Sequence, residues 1–476
     1  MFEDLRTILP EIILLSMACY ALIVDLFLSK KTQVITYLLC QAALIATAIS
    51  CWYSPINVSA FNEQFIVDPL AATLKIGILI LMFLVLTYSR TYTRERDIAY
   101  GEFHVMALFS TLGMMILVSA QSLLMIFLGL ELLSLPLYAL VALQRDSQLS
   151  AEAGIKYFIM GALASGMLLY GISLLYGLSG SIQFNEVATF IKTAENGTLM
   201  VSLIAMVFII VGLAFKFGVA PFHMWIPDIY QGAPTSITAL ITSASKVAAF
   251  GMAFRLLHDT LSHFSFEWSQ FFIPLAVLSL ATGNIIAIAQ TNVKRLLAYS
   301  TISHVGYLFL GLLVAQRVGY APAMYYILVY AIVSVCAFGV LLILSHQKFD
   351  AQTFDDLKGL SQRSPWLAFI MLLVAFSLAG VPPTVGFYAK FMILSALVDG
   401  GLTWLAALAV VFSVIGAFYY IKIVRVMYFD APEVPYSAGG AMDFRVVLSL
   451  NGLAILALGV FPAPLFMICR NVFTQF

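Results

Sequence analysis

Charged residues are scarce in this sequence. Only 10% of its 476 residues are charged, 62% are hydrophobic and the mean hydropathy is +1.00. An ordinary soluble domain carries about 25% charged residues. The composition therefore excludes a soluble globule and predicts a polytopic membrane protein. The formal net charge is zero and no basic cluster stands out, so we expect no nucleic-acid partner.

Motifs that hold cofactors are also missing. The five cysteines form no Cys-x-x-Cys pair, and the sequence contains no Gly-x-Gly-x-x-Gly and no histidines paired at ligand spacing. We therefore expect this chain to bind no iron–sulfur cluster, metal or dinucleotide, and to have no disulfide framework. No small-residue cleavage signal follows Glu3 and Asp4, so the first apolar run is expected to stay as an anchor.

Long apolar runs fill the chain instead. A membrane-spanning helix needs roughly 20 apolar residues, and about 14 such runs can be counted, which predicts an all-α fold. Two runs are longer than one span, near 199–227 (span 7) and 365–398 (span 12). Prolines interrupt both, at Pro221 and Pro227 and at Pro382 and Pro383. Because proline lacks a backbone donor, we expect broken helices with a polar interior at these points.

The lysines and arginines fall mostly on one side of the predicted spans. That side includes Lys30, Lys31 and Lys348. Short cytoplasmic loops carry the excess of these residues. The pattern predicts a multi-pass membrane protein with both termini on the outer side.

The predicted organisation has four parts. A three-helix segment (1–102) precedes a first unit (103–257, spans 4–8), a second unit (258–428, spans 9–13) and a C-terminal helix (429–476). Almost equal separations divide Glu131 from His304 and Lys216 from Lys390. Two copies of a five-helix unit, inverted in the membrane, explain this match, although the prolines of the two breaks do not align.

Several ionisable residues lie far from the ends of their spans: Glu131, Lys216, Lys246, His304 and Lys390. Each central charge costs at least about 2.5–3.5 kcal/mol, so such residues indicate function. Glu131 can instead be a protonated structural carboxyl, Lys216 a snorkelling lysine and His304 a packing residue. A row of protonatable groups at mid-membrane predicts a proton path.

Hydroxyl groups lead towards Lys246. Thr235, Thr238, Thr242 and Ser245 are spaced to share one face of a helix over 235–257. Such a face can hold a file of water, although small hydroxylated residues also let membrane helices pack closely. Lys75 and Lys156 stand nearer helix ends, where interfacial roles fit at least as well.

Four stretches carry a family resemblance: Phe127–Pro136, Lys216–Pro234, Gln290–Tyr307 and Leu378–Phe391. Along nearly its whole length the chain resembles the antiporter-like membrane subunits of proton-pumping NADH:quinone oxidoreductase (respiratory complex I). The resemblance implies 14 helices with two inverted five-helix repeats. It matches Glu131 and Lys216 to a buried pair, Lys246 to a connecting lysine and Lys390 to a terminal lysine, where the family's M subunit has a glutamate.

The same resemblance implies what surrounds the chain. NADH, FMN, iron–sulfur clusters and quinone are expected in partner subunits, and the neighbours in the bilayer are expected to be the L and M antiporter-like subunits and small membrane subunits. The redox arm is then an indirect partner. Two alternatives remain open: a subunit of a multi-component sodium/proton antiporter, or a purely structural membrane spacer.

Overall fold

The computed structural model describes residues 2–29, 32–96, 98, 100–345, 349–432 and 439–475. Lys30, Lys31 and Lys348, which contributed to the predicted orientation, lie outside these ranges, as do 433–438 of the predicted C-terminal part. The described residues form 22 α-helices and two short β-strands.

The elements of the N-terminal half are α1 (Phe2–Thr7), α2 (Leu9–Asp25), α3 (Val34–Trp52), β1 (Val58–Ala60), β2 (Phe65–Val67), α4 (Pro69–Glu95), α5 (Tyr100–Val118), α6 (Leu123–Val141), α7 (Gln148–Ser179), α8 (Phe184–Thr193) and α9 (Asn196–Phe217).

The C-terminal half contains α10 (Trp225–Gly232), α11 (Thr235–Thr242), α12 (Ala244–Phe254), α13 (Ser265–Ile288), α14 (Val293–Val318), α15 (Ala321–Leu344), α16 (Phe354–Leu357), α17 (Leu360–Arg363), α18 (Pro365–Ala379), α19 (Val385–Asp399), α20 (Thr403–Phe429), α21 (Met442–Val460) and α22 (Ala463–Val472). A π-helical turn (Arg255–Thr260) follows α12.

The predicted helical membrane protein is confirmed in its main feature. Twelve helical segments in the described part of the chain are long and apolar enough to cross a membrane. The count is lower than fourteen because α2 has only 17 residues and because α18 and α19 have 15 each. A turn at Phe461 also divides the predicted last span into α21 and α22.

A β-hairpin is the exception to the all-α prediction. β1 and β2 pair antiparallel, with Val58 opposite Val67 and Ala60 opposite Phe65. The residues between them include three with positive φ, Phe61, Asn62 and Glu63, which reverse the chain tightly. The β-branched and aromatic residues of the 54–68 connection bury one face of this hairpin.

Two compact units can be distinguished. The first contains Met1–Leu86, Ala99–Phe217 and Ala244–Phe271, and the second contains Thr87–Ile98, Gly218–Ser243 and Phe272–Phe476. In the first unit α5 packs on α2, α3, α6 and α12, and 78% of the residues in its most apolar 18-residue stretch are buried. In the second unit α15 contacts α11, α14, α18, α19, α21 and α22. Of the residues in its most apolar 18-residue stretch, 94% are buried.

Backbone contacts join three connections of the first unit. Phe65 of the hairpin forms an isolated bridge with Ala120, between α5 and α6, and Ser122 forms one with Gln183, between α7 and α8. Leu123 N–H also donates to Ile182 O at 2.9 Å. These bonds fix the helix ends at which they occur.

A buried ion pair also stabilises the first unit. Both Nη atoms of Arg255 donate to Asp68, at 2.7 and 2.8 Å, and Arg255 is 1% exposed. Asp68 also accepts from Ala71 N–H at the start of α4. One carboxylate therefore holds both the π-helical turn and the α4 N-terminus.

Close packing of α5 on α6 generates a stability prediction. A Cβ added at Gly113 would lie 2.2 Å from Leu133 N, which is backbone and cannot move aside, whereas one at Gly166 meets nothing within 4 Å. We expect Gly113→Ala to destabilise the protein by about 1–3 kcal/mol and the control Gly166→Ala to have little effect. The measurement is the fraction of monodisperse protein left after heating in detergent. Equal survival of both variants would contradict the packing described here.

Candidate functional site

The first helix break leaves carbonyl groups to satisfy. α9 ends at Phe217, and the chain is not α-helical again until Trp225. Gly218 takes a φ of +74°, and a Cβ there would lie 2.0 Å from Ile226 Cδ1, so only glycine fits. The last carbonyls of a helix have no partner within it, and in an apolar interior they need one.

Lys246 supplies that partner. It lies on α12, is 1% exposed, and donates from Nζ to Phe217 O at 2.7 Å and to Lys216 O at 3.3 Å. A cation at a helix C-terminus also meets the negative end of the helix dipole. The predicted central lysine is thus tied to the end of the broken helix.

Lys216 points to a neighbouring helix of the same unit. It is 7% exposed, and its Nζ donates to Ser134 Oγ at 3.0 Å. Ser134 lies three residues after Glu131 on α6, so both occupy one helical face. The predicted Glu131–Lys216 pair is therefore not a direct contact: the serine hydroxyl takes the ammonium, while Glu131 is close enough for an electrostatic interaction with Lys216.

Glu131 borders a groove. Its Oε1 is buried and has no hydrogen-bond partner in the part of the chain that the structure describes. A cavity of about 260 Å³ lies beside it between α6 and α7, lined by Phe127, Leu135, Tyr138, Phe158 and Ser165 among others. A carboxylic acid in such a place can turn towards the groove or towards Ser134.

The second break has a similar lysine. α18 ends at Ala379, Gly380 takes a φ of +84°, and α19 begins at Val385. Lys390, 8% exposed, donates to Ala379 O at 2.9 Å and to Ser413 Oγ at 3.0 Å. A buried lysine on another helical segment therefore binds the C-terminal carbonyls at each break.

His304 lies beside Lys390. Its Nδ1 is 2.7 Å from Tyr326 Oη and its Nε2 is 3.1 Å from Tyr420 Oη, and Tyr420 also bonds to Ser300. His304 and Lys390 line one small cavity of the second unit. Both ring nitrogens thus face hydroxyl groups, which can donate or accept.

The hydroxyl face before Lys246 differs from the prediction. The helix over 235–257 breaks at Ser243, whose ψ is −90°, so Thr235, Thr238 and Thr242 do not share one regular helix with Ser245. Thr238 donates to Tyr230 O and Thr242 to Ala239 O. The hydroxyl protons of Thr238 and Thr242 therefore bond to backbone carbonyls, and the lone pairs of their oxygens can still accept hydrogen bonds.

Three further cations of the described chain are buried. Lys75, for which an interfacial role fitted at least as well, is 2% exposed and lies 2.7 Å from Glu11 Oε1. Lys294 is 1% exposed and donates to Ala233 O at 2.6 Å, just after α10. Arg255 forms the buried pair with Asp68. Lys156, by contrast, forms an exposed pair with Glu152.

Comparison with known proteins identifies the family. Residues 120–416 match the family described as NADH:quinone oxidoreductase/Mrp antiporter, transmembrane. The chain belongs to this family.

No group of three potential metal ligands was found among the residues that the structure describes.

Relatives and solved structures of the family match over the whole length. NADH-quinone oxidoreductase subunit N of Thioalkalivibrio sulfidiphilus is 51% identical, with 97% of each chain covered. A chain of respiratory complex I from Thermus thermophilus is 29% identical with a TM-score of 0.82, covering 96% of this chain and 98% of that one. A chain of the Mrp complex from Dietzia has the same fold, with a TM-score of 0.85 over 99% and 97%, at 19% identity.

The contact of Lys216 with Ser134, next to Glu131, generates a prediction about coupling. We expect Lys216→Ala and Glu131→Ala each to abolish most proton translocation through this subunit, and the double variant to be hardly worse than either, because residues that act as a unit are not additive. The measurement is the initial rate of NADH-driven acidification in inverted membrane vesicles, with assembly checked on native gels.

A serine pair provides the control. Ser134→Ala removes the hydroxyl that Lys216 binds, whereas Ser165→Ala removes one that lines the same groove and donates to its own helix, at Gly161 O. We expect only Ser134→Ala to slow acidification.

The double variant tests the coupling. If its loss in log rate equals the sum of the losses of Glu131→Ala and Lys216→Ala, the two residues act independently.

Proposed function

We propose that the chain is the N-type membrane subunit of a proton-translocating NADH:quinone oxidoreductase. It takes part in coupling electron transfer from NADH to quinone, which partner subunits carry out, to proton movement from cytoplasm to periplasm. Relatives named NADH-quinone oxidoreductase subunit N are 51% and 49% identical over 97% of this chain. Lys390 stands where the resemblance places a glutamate in the M-type subunit.

One observation carries the proposal: buried lysines bind the carbonyl ends of both broken helices. Lys246 does so at Phe217 and Lys390 at Ala379. Neutral oxygens stabilise an ammonium less than a carboxylate does, so a change in nearby charge can change the protonation of the lysine. Glu131, Lys216, Lys246, His304 and Lys390 are the proposed proton path.

For protons to be transferred repeatedly, each group must return to its starting protonation state. In the first unit, Lys216 can give a proton to Ser134 Oγ as that hydroxyl gives its own to the Glu131 carboxylate, which then releases a proton to the groove; the reverse sequence returns a proton to Lys216. In the second unit, Lys390 can exchange with Ser413 Oγ, and His304 with Tyr326 and Tyr420. Each hydroxyl accepts one proton as it gives up another, so it ends unchanged.

The finer architecture is also proposed. Fourteen spans are obtained when α2 and the α18–α19 segment are added to the twelve long apolar segments. The breaks at Gly218 and Gly380, both with positive φ, support two inverted five-helix repeats, in 103–257 and 258–428, with 1–102 and 429–476 outside them. The lysines that bind the carbonyls at these breaks, Lys246 and Lys390, are not the pair with matching separations. The excess of basic residues on one side supports periplasmic termini in a bacterial inner membrane.

The proposed partners follow from this assignment. The L and M antiporter-like subunits and small membrane subunits would adjoin the chain in the bilayer. NADH, FMN, iron–sulfur clusters and quinone would be bound elsewhere in the complex.

An Mrp-type sodium/proton antiporter subunit is the alternative. The Mrp neighbour shares the fold at 19% identity, which supports fold and not function. Co-purification decides between them: partners containing flavin and iron–sulfur clusters support the oxidoreductase, and sodium-dependent transport without such partners supports the antiporter.

Lys246→Met tests the proposed function directly. Methionine keeps length and apolar packing but cannot titrate, and it leaves the carbonyls at the end of α9 without their ammonium. We expect the complex to assemble, NADH oxidation to continue in part, and acidification per NADH to fall sharply. Undiminished acidification would remove Lys246 from the proton path.

Lys390 can be tested with two substitutions. Glutamate stands at this position in the M-type subunit, so Lys390→Glu keeps a titrating group at the cavity and is expected to retain partial proton translocation. Lys390→Ala removes it and should retain little. If the alanine variant translocates protons as fast as the parent, the second break has only a structural role.

A further inference from the structure

A cluster of polar groups surrounds Asp350, in the connection after α15. Its carboxylate accepts from Gln352 Nε2 at 2.7 Å, Ser345 Oγ at 3.0 Å and Tyr92 Oη at 3.3 Å, and Arg96 Nη1 lies 3.6 Å away. Thr235 Oγ1, at the start of α11, is 3.5 Å away. All these residues belong to the second unit.

Asp350 is the carboxylate of this cluster and it reaches water, as the partly exposed Gln352 and Arg96 also do. Its side chain is 18% exposed, whereas Ser345 and Tyr92 are 5% and 2% exposed and Thr235 is fully buried. A purely structural anchor needs no contact with solvent. Asp350 therefore lies where outside water meets a buried polar interior.

Buried cations keep this carboxylate ionised. Burial by itself raises the pKa of Asp350, but the charges of Lys294 and Arg96 and the hydrogen bonds from Gln352 and Ser345 outweigh it, so the pKa lies below its usual range. At neutral pH the group is thus an ionised acceptor.

A polar face of α14 leads inward from the cluster. Lys294, Thr301 and His304 are spaced by seven and three residues, which places them on one helical face over about 15 Å. Thr301 Oγ1 accepts from Tyr330 Oη at 2.8 Å. Tyr330 lines the same cavity as His304 and Lys390.

We propose that Asp350 is the group through which the second unit exchanges protons with water at this end of α15, and that the Lys294–Thr301–His304 face carries them to or from the Lys390 cavity. The inference rests on the proposed proton translocation. A proton from water binds the Asp350 carboxylate. As it leaves for Lys294, the ammonium gives one of its own protons to the water that leads to Thr301, and Thr301 or Tyr330 gives one to the Lys390 cavity, so every group ends with the protons it began with. Water must cross the two turns between Lys294 and Thr301.

The test uses the complete complex in inverted membrane vesicles. Asp350→Asn keeps the size of the side chain but removes its charge, and it leaves one acceptor oxygen where Ser345 and Tyr92 donate to two. We expect a several-fold fall in the initial rate of NADH-driven acidification, with assembly unchanged on native gels. Asp350→Glu should retain most of the rate, because it keeps a carboxylate.

Chemical rescue separates proton exchange from a structural role. Formate is small and titrates like the missing carboxyl, so added formate should restore much of the acidification rate of Asp350→Asn and leave the parent unchanged. The matched control is Asp355→Asn, which alters an exposed carboxylate of the same connection, paired with Lys358 at 2.8 Å. It should have no effect.

Thr301→Val tests the buried part of the route independently. Valine keeps the shape and removes the acceptor of Tyr330, so acidification should fall several-fold without loss of assembly. The proposal is overturned if Asp350→Asn pumps normally, if its loss is not restored by formate, or if Asp350→Asn does not assemble and Thr301→Val pumps normally. Normal pumping by Lys246→Met and Lys390→Ala would instead refute the proposed proton path through this chain, on which the inference rests.

Discussion

Unpaired carbonyl groups at interrupted helices are the constraint on which the rest of this structure depends. A backbone oxygen in an apolar interior must find a donor, and each unsatisfied one costs several kcal/mol. At Phe217 and Ala379 the donor is a lysine ammonium, and at Ala233, after α10, it is Lys294. The same breaks that leave polar carbonyl groups in the interior therefore also fix the positions of these lysines.

This dependence explains why buried candidate residues could be selected from the sequence. Proline and glycine within apolar runs marked the breaks, and a lysine in an apolar run has few reasons to be there. Glu131, Lys216, Lys246, His304 and Lys390 were selected on that basis, and all five side chains lie in the interior or beside a groove. Their roles in proton transfer remain a proposal.

The contacts of these residues could not be predicted. Ser134 and Ser413, which bind Lys216 and Lys390, are single hydroxyls in apolar helices and look like packing residues. Lys294 was missed because it follows the polar Gln-Thr-Asn segment, where a helix start at the surface is the simpler interpretation. Lys75 was missed because its partner Glu11 is 64 positions away in sequence, and only tertiary structure brings the two together.

The backbone bridges at Ala120 and Ser122 have a consequence for sequence variation. Main-chain bonds require no particular side chain, so the connections they join can change composition while the helix ends keep their positions. Proline is excluded where Leu123 donates its N–H, and Ser122 is constrained as well, because its Oγ caps α6 by accepting from Met125 N–H. Family members should therefore differ widely in these connections and still align the ends of α6, because the positions are encoded in peptide groups that every sequence shares.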